Sequence, residues 1–513
     1  MIRKQAMKDI GLTRKKKGNY GQVNRRQLPV YDSSEDQATA NGRNARATLL
    51  IRSSVICSSG ATSGGSSSST TARSSSSPET SPPINGDGEL VEFLPTVNHA
   101  GGLLDGSEAE QALSYELMFS RLTTAPDYER ARSKFGVGLT DLAVLTNFNV
   151  GKNTIAILSA DSSRLASLLG QQHWSYLEYV PSRYGTSDCL TAATNVLLAK
   201  VQTVLAPKDE CAEICNRLYG KALRALQHAI SDESLAMEAD VLCATQLLSL
   251  HELLDPSRDT AWAHHVHGSA RLVKHRSASR FETDFEKALF AAHVGAIISE
   301  ALVNNTECYL DQPEWTELYA SMTQESHFLT DRSALSIQVR LAFFILPGLW
   351  HDVGECVNSA EYFSCGPLTL LESRCRKAHR KLLDWLEDYK AHCVRLSFAQ
   401  LPPSELALRR ELFGSALECL AIVKRLLATV CDTERRSLEV ETQALAHLVL
   451  DLQKQPAPKH SWLFSGHEVG VAYTMLLTKS QWEENVSRGE SDSHKMASRT
   501  RYNTWSNTLR MTG

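Results

Sequence analysis

The sequence predicts an all-α fold of stacked antiparallel helices, preceded by a disordered N-terminal arm. From about residue 110 onward, long segments between prolines carry apolar residues three and four positions apart, the spacing of a helix buried along one face. No convincing set of alternating apolar and polar residues indicates strands. We therefore expect about ten to fourteen helices that form one domain or two closely docked halves.

Composition divides the chain into four segments. Residues 1–52 contain twelve Lys or Arg and four acidic residues, a net charge of +8, whereas the remaining residues have a net charge of −12. Residues 53–109 are rich in Ser and Gly, so they cannot bury enough apolar surface to offset their chain entropy. We interpret residues 1–52 as a basic disordered arm and 53–109 as a Ser-rich linker, either plain or phosphorylated. Residues 110–485 then form the helical domain, and 486–513 form a flexible C-terminal tail.

A run of four cations, Arg14, Lys15, Lys16 and Lys17, lies in the basic arm. Such a run is typical of a nuclear import signal, and it is also typical of an arm that contacts phosphates without sequence preference. The third interpretation is a charged tail that is simply solvated.

Individual helices are predicted from apolar stripes and capping residues. Leu235–Leu254 is so rich in apolar residues that we expect it to lie centrally. It should end at Asp255, because the following Pro256 disfavours a helical conformation in the residue before it. The other predicted helices and caps are Cys211–Ser231, Ala288–Val303 after a Thr283–Glu286 capping box, Glu405–Val430 capped by Ser404, and Glu434–Gln453 capped by Thr433.

The sequence also indicates a cellular compartment. Twelve cysteines are spread over 513 residues without the dense spacing of a disulfide framework. The N-terminus has no apolar stretch of the signal-peptide kind. The most apolar stretches, Ala288–Ser299 and Leu341–Trp350, are shorter than the roughly 20 residues of a membrane-spanning helix. We expect a cytosolic or nuclear protein with reduced thiols and no membrane contact.

Three stretches, taken in order, resemble a known family. They are Leu218–Leu226, Trp262–Leu272 and the region from Phe281 to the Pro-Glu-Trp of residues 313–315. Together they resemble the fungal-specific transcription factor domain, the regulatory domain of fungal binuclear zinc-cluster transcription factors. The resemblance is strongest over residues 210–320 and extends more weakly over 110–485. The family-motif residues, for which the resemblance implies packing roles, are Tyr219, Trp262, His265, Gly268, Pro313 and Trp315.

Proteins of this family typically carry an N-terminal cluster of six cysteines that binds two zinc ions, followed by a helix that reaches the DNA major groove. In this sequence the first cysteine, Cys57, stands alone in a Ser-rich stretch. Either the chain begins downstream of a cluster encoded before Met1, or this member lacks the cluster. We expect zinc only in the first case, so direct DNA binding stays an open question.

Several histidines and cysteines have spacings that partly match metal-binding or catalytic motifs. His251-Glu252 begins like a zinc-protease motif, but the second His is absent, which favours a polar face of a buried helix. His264 and His267 share a helix face that excludes His265, so we interpret all three as core or surface residues.

Cys211 and Cys215 lie one turn apart and supply only half of a tetrahedral metal site, so we expect inert packing. No nucleophile elbow, phosphate loop or dinucleotide fingerprint is present. We predict no catalytic, metal-binding or cofactor-binding residue, and a protein that is not an enzyme.

The resemblance implies a transcriptional regulator of a fungal metabolic pathway, secondary-metabolite pathways included, that acts in the nucleus and shuttles with the cytoplasm. Its expected partners are the transcription machinery or a DNA-binding partner, with direct DNA contact by the basic arm. The alternative is a coregulator without DNA contact, or a helical module that senses a small apolar effector. An enzyme built from scattered residues is the third hypothesis.

Replacing Arg14, Lys15, Lys16 and Lys17 together with Ala is expected to abolish nuclear accumulation of the fluorescently tagged full chain, because import receptors bind clustered cations. The matched control replaces Arg43 and Arg46 with Ala, which removes charge from the same arm outside the run. An unchanged nuclear signal in the quadruple variant would contradict the import assignment.

Overall fold

The computed structural model describes residues 124–171, 173–207, 209–255, 261–359, 365–396, 401, 403–457, 461–463, 466–483 and 491–512. Within these residues the chain forms eighteen α-helices and no strand, which confirms the predicted all-α class. The first nine helices are α1 (Pro126–Phe135), α2 (Lys152–Ala160), α3 (Arg164–Leu168), α4 (Val180–Arg183), α5 (Asp188–Leu205), α6 (Asp209–Ser231), α7 (Ala239–Leu253), α8 (Ala261–Arg276) and α9 (Asp284–Asn304).

The other nine helices complete the described part of the chain. They are α10 (Pro313–Ala320), α11 (Ala334–Phe344), α12 (Leu346–Asn358), α13 (Cys365–Arg395), α14 (Pro403–Val430), α15 (Arg435–Lys454), α16 (Gly466–Leu477), α17 (Lys479–Glu483) and α18 (Ser491–Thr512). Short connections join neighbours such as α5 and α6, or α14 and α15, so these pairs pack antiparallel. The basic arm 1–52 with Arg14–Lys17, the linker 53–109 and residues 110–123 lie outside the described residues.

The structure confirms several features that the local sequence predicts for individual helices. Helix α9 begins with the predicted capping box: the Thr283 hydroxyl accepts a hydrogen bond from the Glu286 backbone N–H, and the Glu286 carboxylate accepts one from the Thr283 N–H at 3.1 Å. The predicted central segment holds a 3₁₀ turn at Leu235–Met237 and then α7. All 15 residues of α7 are buried, which confirms its central place.

Two predicted caps are wrong. Helix α14 begins at Pro403, so Ser404 lies inside the first turn rather than before it. Proline suits that first position because its φ is already helical and its missing N–H has no partner there anyway. Helix α15 begins at Arg435 after Glu434, and no side chain caps it, so Thr433 does not cap this helix.

The structure has more helices than predicted because several are too short to show a periodic stripe. Helices α3, α4 and α17 have only four or five residues. The apolar stretch Ala334–Asn358 is long and apolar enough to cross a membrane by length and composition, the one such stretch in the described ranges. It is divided at Ile345 into α11 and α12, and 56% of its most apolar window is buried in the protein, as in a core helix.

Helix α14 lies at the centre of the second half of the chain. Every residue from Ala407 to Val430 is buried, although the helix carries several ionisable side chains. Arg425, with 0% of its side chain exposed, pairs with Glu439 of α15 through two hydrogen bonds of 3.1 and 2.7 Å. It also donates to the Met475 carbonyl of α16 at 2.9 Å. One guanidinium therefore joins three helices.

The C-terminal segment predicted as a flexible tail instead includes helix α18. Its Trp505 is fully buried, and the ring centroids of Trp350 and Trp482 lie 4.8 and 5.9 Å from it. The Tyr502 hydroxyl donates to the Trp350 carbonyl of α12 at 2.8 Å. A Cβ at Gly354 would lie 2.9 Å from that hydroxyl, so the close approach of α18 to α12 requires glycine there. The prediction of a flexible tail from residue 486 is wrong over this helix, because two aromatic side chains anchor a mostly polar sequence.

Trp505→Ala is expected to lower the free energy of unfolding by about 3–5 kcal/mol, because it leaves a cavity among buried aromatic rings. The matched control is Met496→Ala on the same helix, where the side chain is exposed and the expected change is within about 0.5 kcal/mol. Urea unfolding of the full chain measures both variants. Equal stabilities for the two variants would show that α18 does not contribute to the core.

Candidate functional site

Three of the predicted motif helices meet at a cluster of aromatic and imidazole rings. Tyr219 of α6 stacks on His251 of α7, with ring centroids 4.6 Å apart and an interplanar angle of 14°. The Tyr219 hydroxyl and His265 Nε2 of α8 lie 3.4 Å apart, within hydrogen-bond reach. Two motif residues that are 46 positions apart in the sequence therefore hold α6, α7 and α8 together.

A buried carboxylate, Glu252, lies beside this cluster. Burial raises its pKa, but the neighbouring polar groups of His251, whose Nδ1 lies 3.8 Å from the carboxylate, and of Tyr219 outweigh burial and hold the pKa below its ordinary value. Burial lowers the pKa of His265 to about 4, and the Glu252 charge offsets only part of that effect. Near neutral pH the cluster thus contains an ionised Glu252 and a neutral His265.

The two cysteines of α6 differ in their surroundings. Cys215 is buried, with its Sγ 3.6 Å from His251 Nε2, whereas Cys211 is partly exposed. Neither is in a disulfide. The Cys215 thiol packs within the cluster formed by α6, α7 and α8, and Cys215 lines neither of the two cavities beside Trp262.

A second aromatic cluster surrounds the motif residue Trp315. Its ring centroid lies 5.0 Å from Tyr309, 5.4 Å from Phe290 and 6.2 Å from Phe281, which joins α9 to α10. Pro313 is exposed and occupies the first turn of α10, where its fixed φ favours helix initiation.

The motif glycine, Gly268, has a milder role. An added Cβ would lie 3.9 Å from Thr245 of α7, an ordinary contact, so this crossing of α7 and α8 does not demand glycine.

Trp262, the remaining motif residue, separates two cavities. The outer chamber, of about 90 Å³, is defined by Phe148, Gly151, Trp262, Phe343, Glu418 and His467. The inner recess, of about 40 Å³, is defined by Val150, Gln246, Ser249, Trp262, Val266 and His293. Because Trp262 and Val150 line both spaces, one indole forms part of the wall between them.

The chamber wall around Phe148 depends on a carboxylate of α14. Asn147 and Asn149 donate side-chain hydrogen bonds of 3.0 and 3.1 Å to Glu411, which fixes the loop before α2. The Arg340 guanidinium of α11 lies 3.4 Å from the same carboxylate. Helix α9 packs directly against this loop: a Cβ on Gly295 would collide with the Phe148 carbonyl, so only glycine permits this approach.

The outer chamber contains a carboxylate–imidazole pair. Glu418 of α14 is buried and accepts a hydrogen bond from Nδ1 of His467, the second residue of α16. The Glu418 charge raises the pKa of His467, so the ion pair is favoured. Burial, together with the nearby carboxylates of Glu418 and Glu411, raises the pKa of the adjacent Glu468 well above its usual range and so favours its protonated form.

The inner recess is polar but uncharged. Gln246 donates through Nε2 to the Leu289 carbonyl at 3.0 Å, while its buried Oε1 accepts no hydrogen bond from the described residues. His293 donates through Nε2 to the Val266 carbonyl at 3.1 Å. Burial lowers the pKa of His293 to about 4, so its imidazole is neutral near neutral pH. The recess therefore presents hydrogen-bond acceptors without ionic charge.

The structure brings together only some of the residues predicted from the sequence. Tyr219 and His265 meet, Trp262 lines the chambers, and Trp315 belongs to a separate aromatic cluster. His264 and His267 are exposed on α8, while His265 is half-buried. In the described ranges no group of three or more His, Cys, Asp or Glu side chains has the geometry to hold a metal ion.

The chamber residues Phe148, Glu418 and His467 received no role in the sequence analysis. They lie on separate elements, with Phe148 far from the other two in the sequence and Glu418 and His467 49 positions apart, and a single sequence carries no signal that joins them.

Comparison with known proteins identifies the class of domain that these helices form. Residues 188–331, from the start of α5 to the segment before α11, match the family model of the fungal specific transcription factor domain. The matched range encloses every motif residue of the predicted resemblance, so the similarity of residues 188–331 to this domain confirms that prediction.

A curated relative from Emericella nidulans, whose printed name calls it an uncharacterized protein, is 25% identical over 210 residues. That alignment covers 40% of this chain and 45% of the relative, so less than half the length of the relative is matched. No solved structure matches the chain.

His293→Gln is expected to reduce the loss of stability on acidification. The pKa of His293 falls from 6.5 to about 4 on folding, so between these values the unfolded chain binds more protons and acid favours unfolding. Glutamine keeps a donor for the Val266 carbonyl but does not titrate in this range.

Between pH 7 and pH 5 the loss of unfolding free energy should therefore be smaller in this variant by about 1–2 kcal/mol. Urea unfolding at both pH values measures it, with the exposed His264→Gln as the control. If both variants lose stability as the wild type does, His293 is not the buried neutral group described here.

Proposed function

We propose that this protein regulates transcription in the nucleus, and that its helical body transmits the regulatory contact. The main observation in support is the match of residues 188–331 to the fungal specific transcription factor domain, a regulatory and not an enzymatic family. A fungal metabolic pathway, secondary-metabolite pathways included, is the process that we propose it controls.

The placement of the motif residues supports this proposal. Tyr219, Trp262 and Trp315 are buried where α6 to α10 pack on one another, so the motif maintains the shape of the helical body. A rigid body of this kind presents a defined surface to a partner. The transcription machinery, or a protein that itself binds DNA, is the partner that we propose.

DNA contact is proposed for the basic arm alone. Residues 1–52 have a net charge of +8, whereas the rest of the chain is acidic overall. Cations that contact phosphates give binding that weakens steeply with salt and has little sequence preference. Gel-shift experiments over a range of salt concentrations distinguish this arm contact from sequence-selective binding, which would require a reading element elsewhere.

The full chain, fused to a heterologous sequence-specific DNA-binding domain, is expected to change expression of a reporter that carries the matching site in fungal cells. The Trp505→Ala variant should lose this effect because the helical body is destabilised, while Met496→Ala should keep it. Equal reporter output with the fusion and with the DNA-binding domain alone would overturn the proposed function.

A further inference from the structure

The outer chamber combines aromatic walls with acidic groups. The rings of Phe148, Trp262 and Phe343 line it, contributed by the loop before α2, by α8 and by α11. Ile298 and Leu302 of α9 add an aliphatic floor. The faces of aromatic rings carry negative potential, so such walls favour a cation as well as apolar groups.

Among the described residues that line the chamber, acidic side chains outnumber basic ones. Within this described lining, Glu418 and Glu300 contribute carboxylates and His467 is the one basic side chain. Glu300 also lies 3.6 Å from the exposed His267 and accepts a hydrogen bond from Asn304 at 3.0 Å. Even with His467 protonated, these described side chains sum to a net negative charge.

Glu418 has acceptor capacity beyond its histidine partner. Among the described residues only His467 donates a hydrogen bond to this carboxylate. A carboxylate accepts about four hydrogen bonds, and an ammonium group donates three. A buried carboxylate gains most from a partner that is both charged and a hydrogen-bond donor.

We propose that the outer chamber binds a small organic ammonium ion with a compact apolar body. The ammonium group hydrogen-bonds to Glu418, and the apolar body packs on Trp262 and Phe343. Neither the regulatory role nor DNA binding is needed for this inference, since it rests on the lining of the chamber alone.

The volume of the chamber restricts the ligand. It measures about 90 Å³, whereas an apolar cavity of about 150 Å³ in another protein accommodates benzene. The ligand must therefore be smaller than benzene, and an apolar body of about three branched carbons, an isopropyl group, is the appropriate size. The inner recess beyond Trp262 is uncharged, so the preference for a cation arises in the outer chamber.

Three probes of similar size, each with four non-hydrogen atoms, test the charge preference: isopropylammonium, isopropyl alcohol and acetate. Calorimetric titration of the full chain is expected to show one bound isopropylammonium per chain. The alcohol and the carboxylate should bind at least about tenfold more weakly. Acetate or isopropyl alcohol binding as tightly as the ammonium ion, or no heat from any of the three at millimolar concentration, would overturn the proposal.

Gly151→Leu tests the location. The backbone there is extended, with φ −160°, and an added Cβ would meet only Trp262, at 4.0 Å. A leucine side chain therefore extends into the chamber without backbone strain and occupies its space, so isopropylammonium binding should be lost. The control, Gly220→Leu, adds the same side chain on α6 outside the chamber and should bind as the wild type does. Wild-type affinity in Gly151→Leu would place the ligand elsewhere and refute the site.

Glu418→Gln tests the anchoring group. The amide oxygen still accepts the His467 hydrogen bond, but the negative charge is gone. Affinity for isopropylammonium should fall by about tenfold or more, and affinity for isopropyl alcohol should not change. Glu314→Gln removes an exposed carboxylate on α10 and is the control. If both probes lose affinity equally in Glu418→Gln, or neither does, Glu418 does not select the cation.

Thermal unfolding of each variant verifies that it is folded, and bound ligand should raise the midpoint of wild type but not of Gly151→Leu. These binding experiments are separate from the reporter assay. A negative binding experiment therefore does not contradict the proposed regulatory role, and a negative reporter assay does not contradict the proposed binding site.

Discussion

Buried charge on helix α14 is the constraint on which the rest of the packing depends. Six ionisable side chains lie on its buried stretch: Arg409, Arg410, Glu411, Glu418, Lys424 and Arg425. An ion buried without a partner costs several kcal/mol, so other elements must supply the partners at defined positions. Arg425 shows the consequence, because its contacts with Glu439 and the Met475 carbonyl set the positions of α15 and α16 together.

The same constraint builds the candidate site. Glu411 and Glu418 are seven residues apart, two turns along one face of α14. The first carboxylate binds the loop that carries Phe148, and the second pairs with His467 at the start of α16. The outer chamber is the space that these two attachments leave beside Trp262. An aromatic cavity with a net negative lining therefore follows from how the central helix satisfies its own buried charges.

Sequence reasoning identified the residues that pack and missed those that line the chamber. Tyr219, Trp262 and Trp315 stand out in one sequence because large aromatic side chains in an ordered motif are seldom interchangeable. Glu418 has no comparable signal, since a charged residue on a helix normally indicates the solvated face. The prediction of a flexible tail was wrong for the same reason, because α18 is mostly polar in sequence. Its burial depends on the contacts of Tyr502 and Trp505 with α12 and of Trp505 with α17.

Local chemistry determined the helical class, the Thr283 capping box, the central place of α7 and the family resemblance, because these depend on residues a few positions apart. The pairing of Glu418 with His467, the separation of two cavities by Trp262 and the anchoring of α18 were decided only in three dimensions. Glu418 and His467 are 49 positions apart in the sequence, and Trp350 and Trp505 are 155 positions apart. The energies of these pairings arise from burial and mutual contact, which no local pattern along the chain encodes.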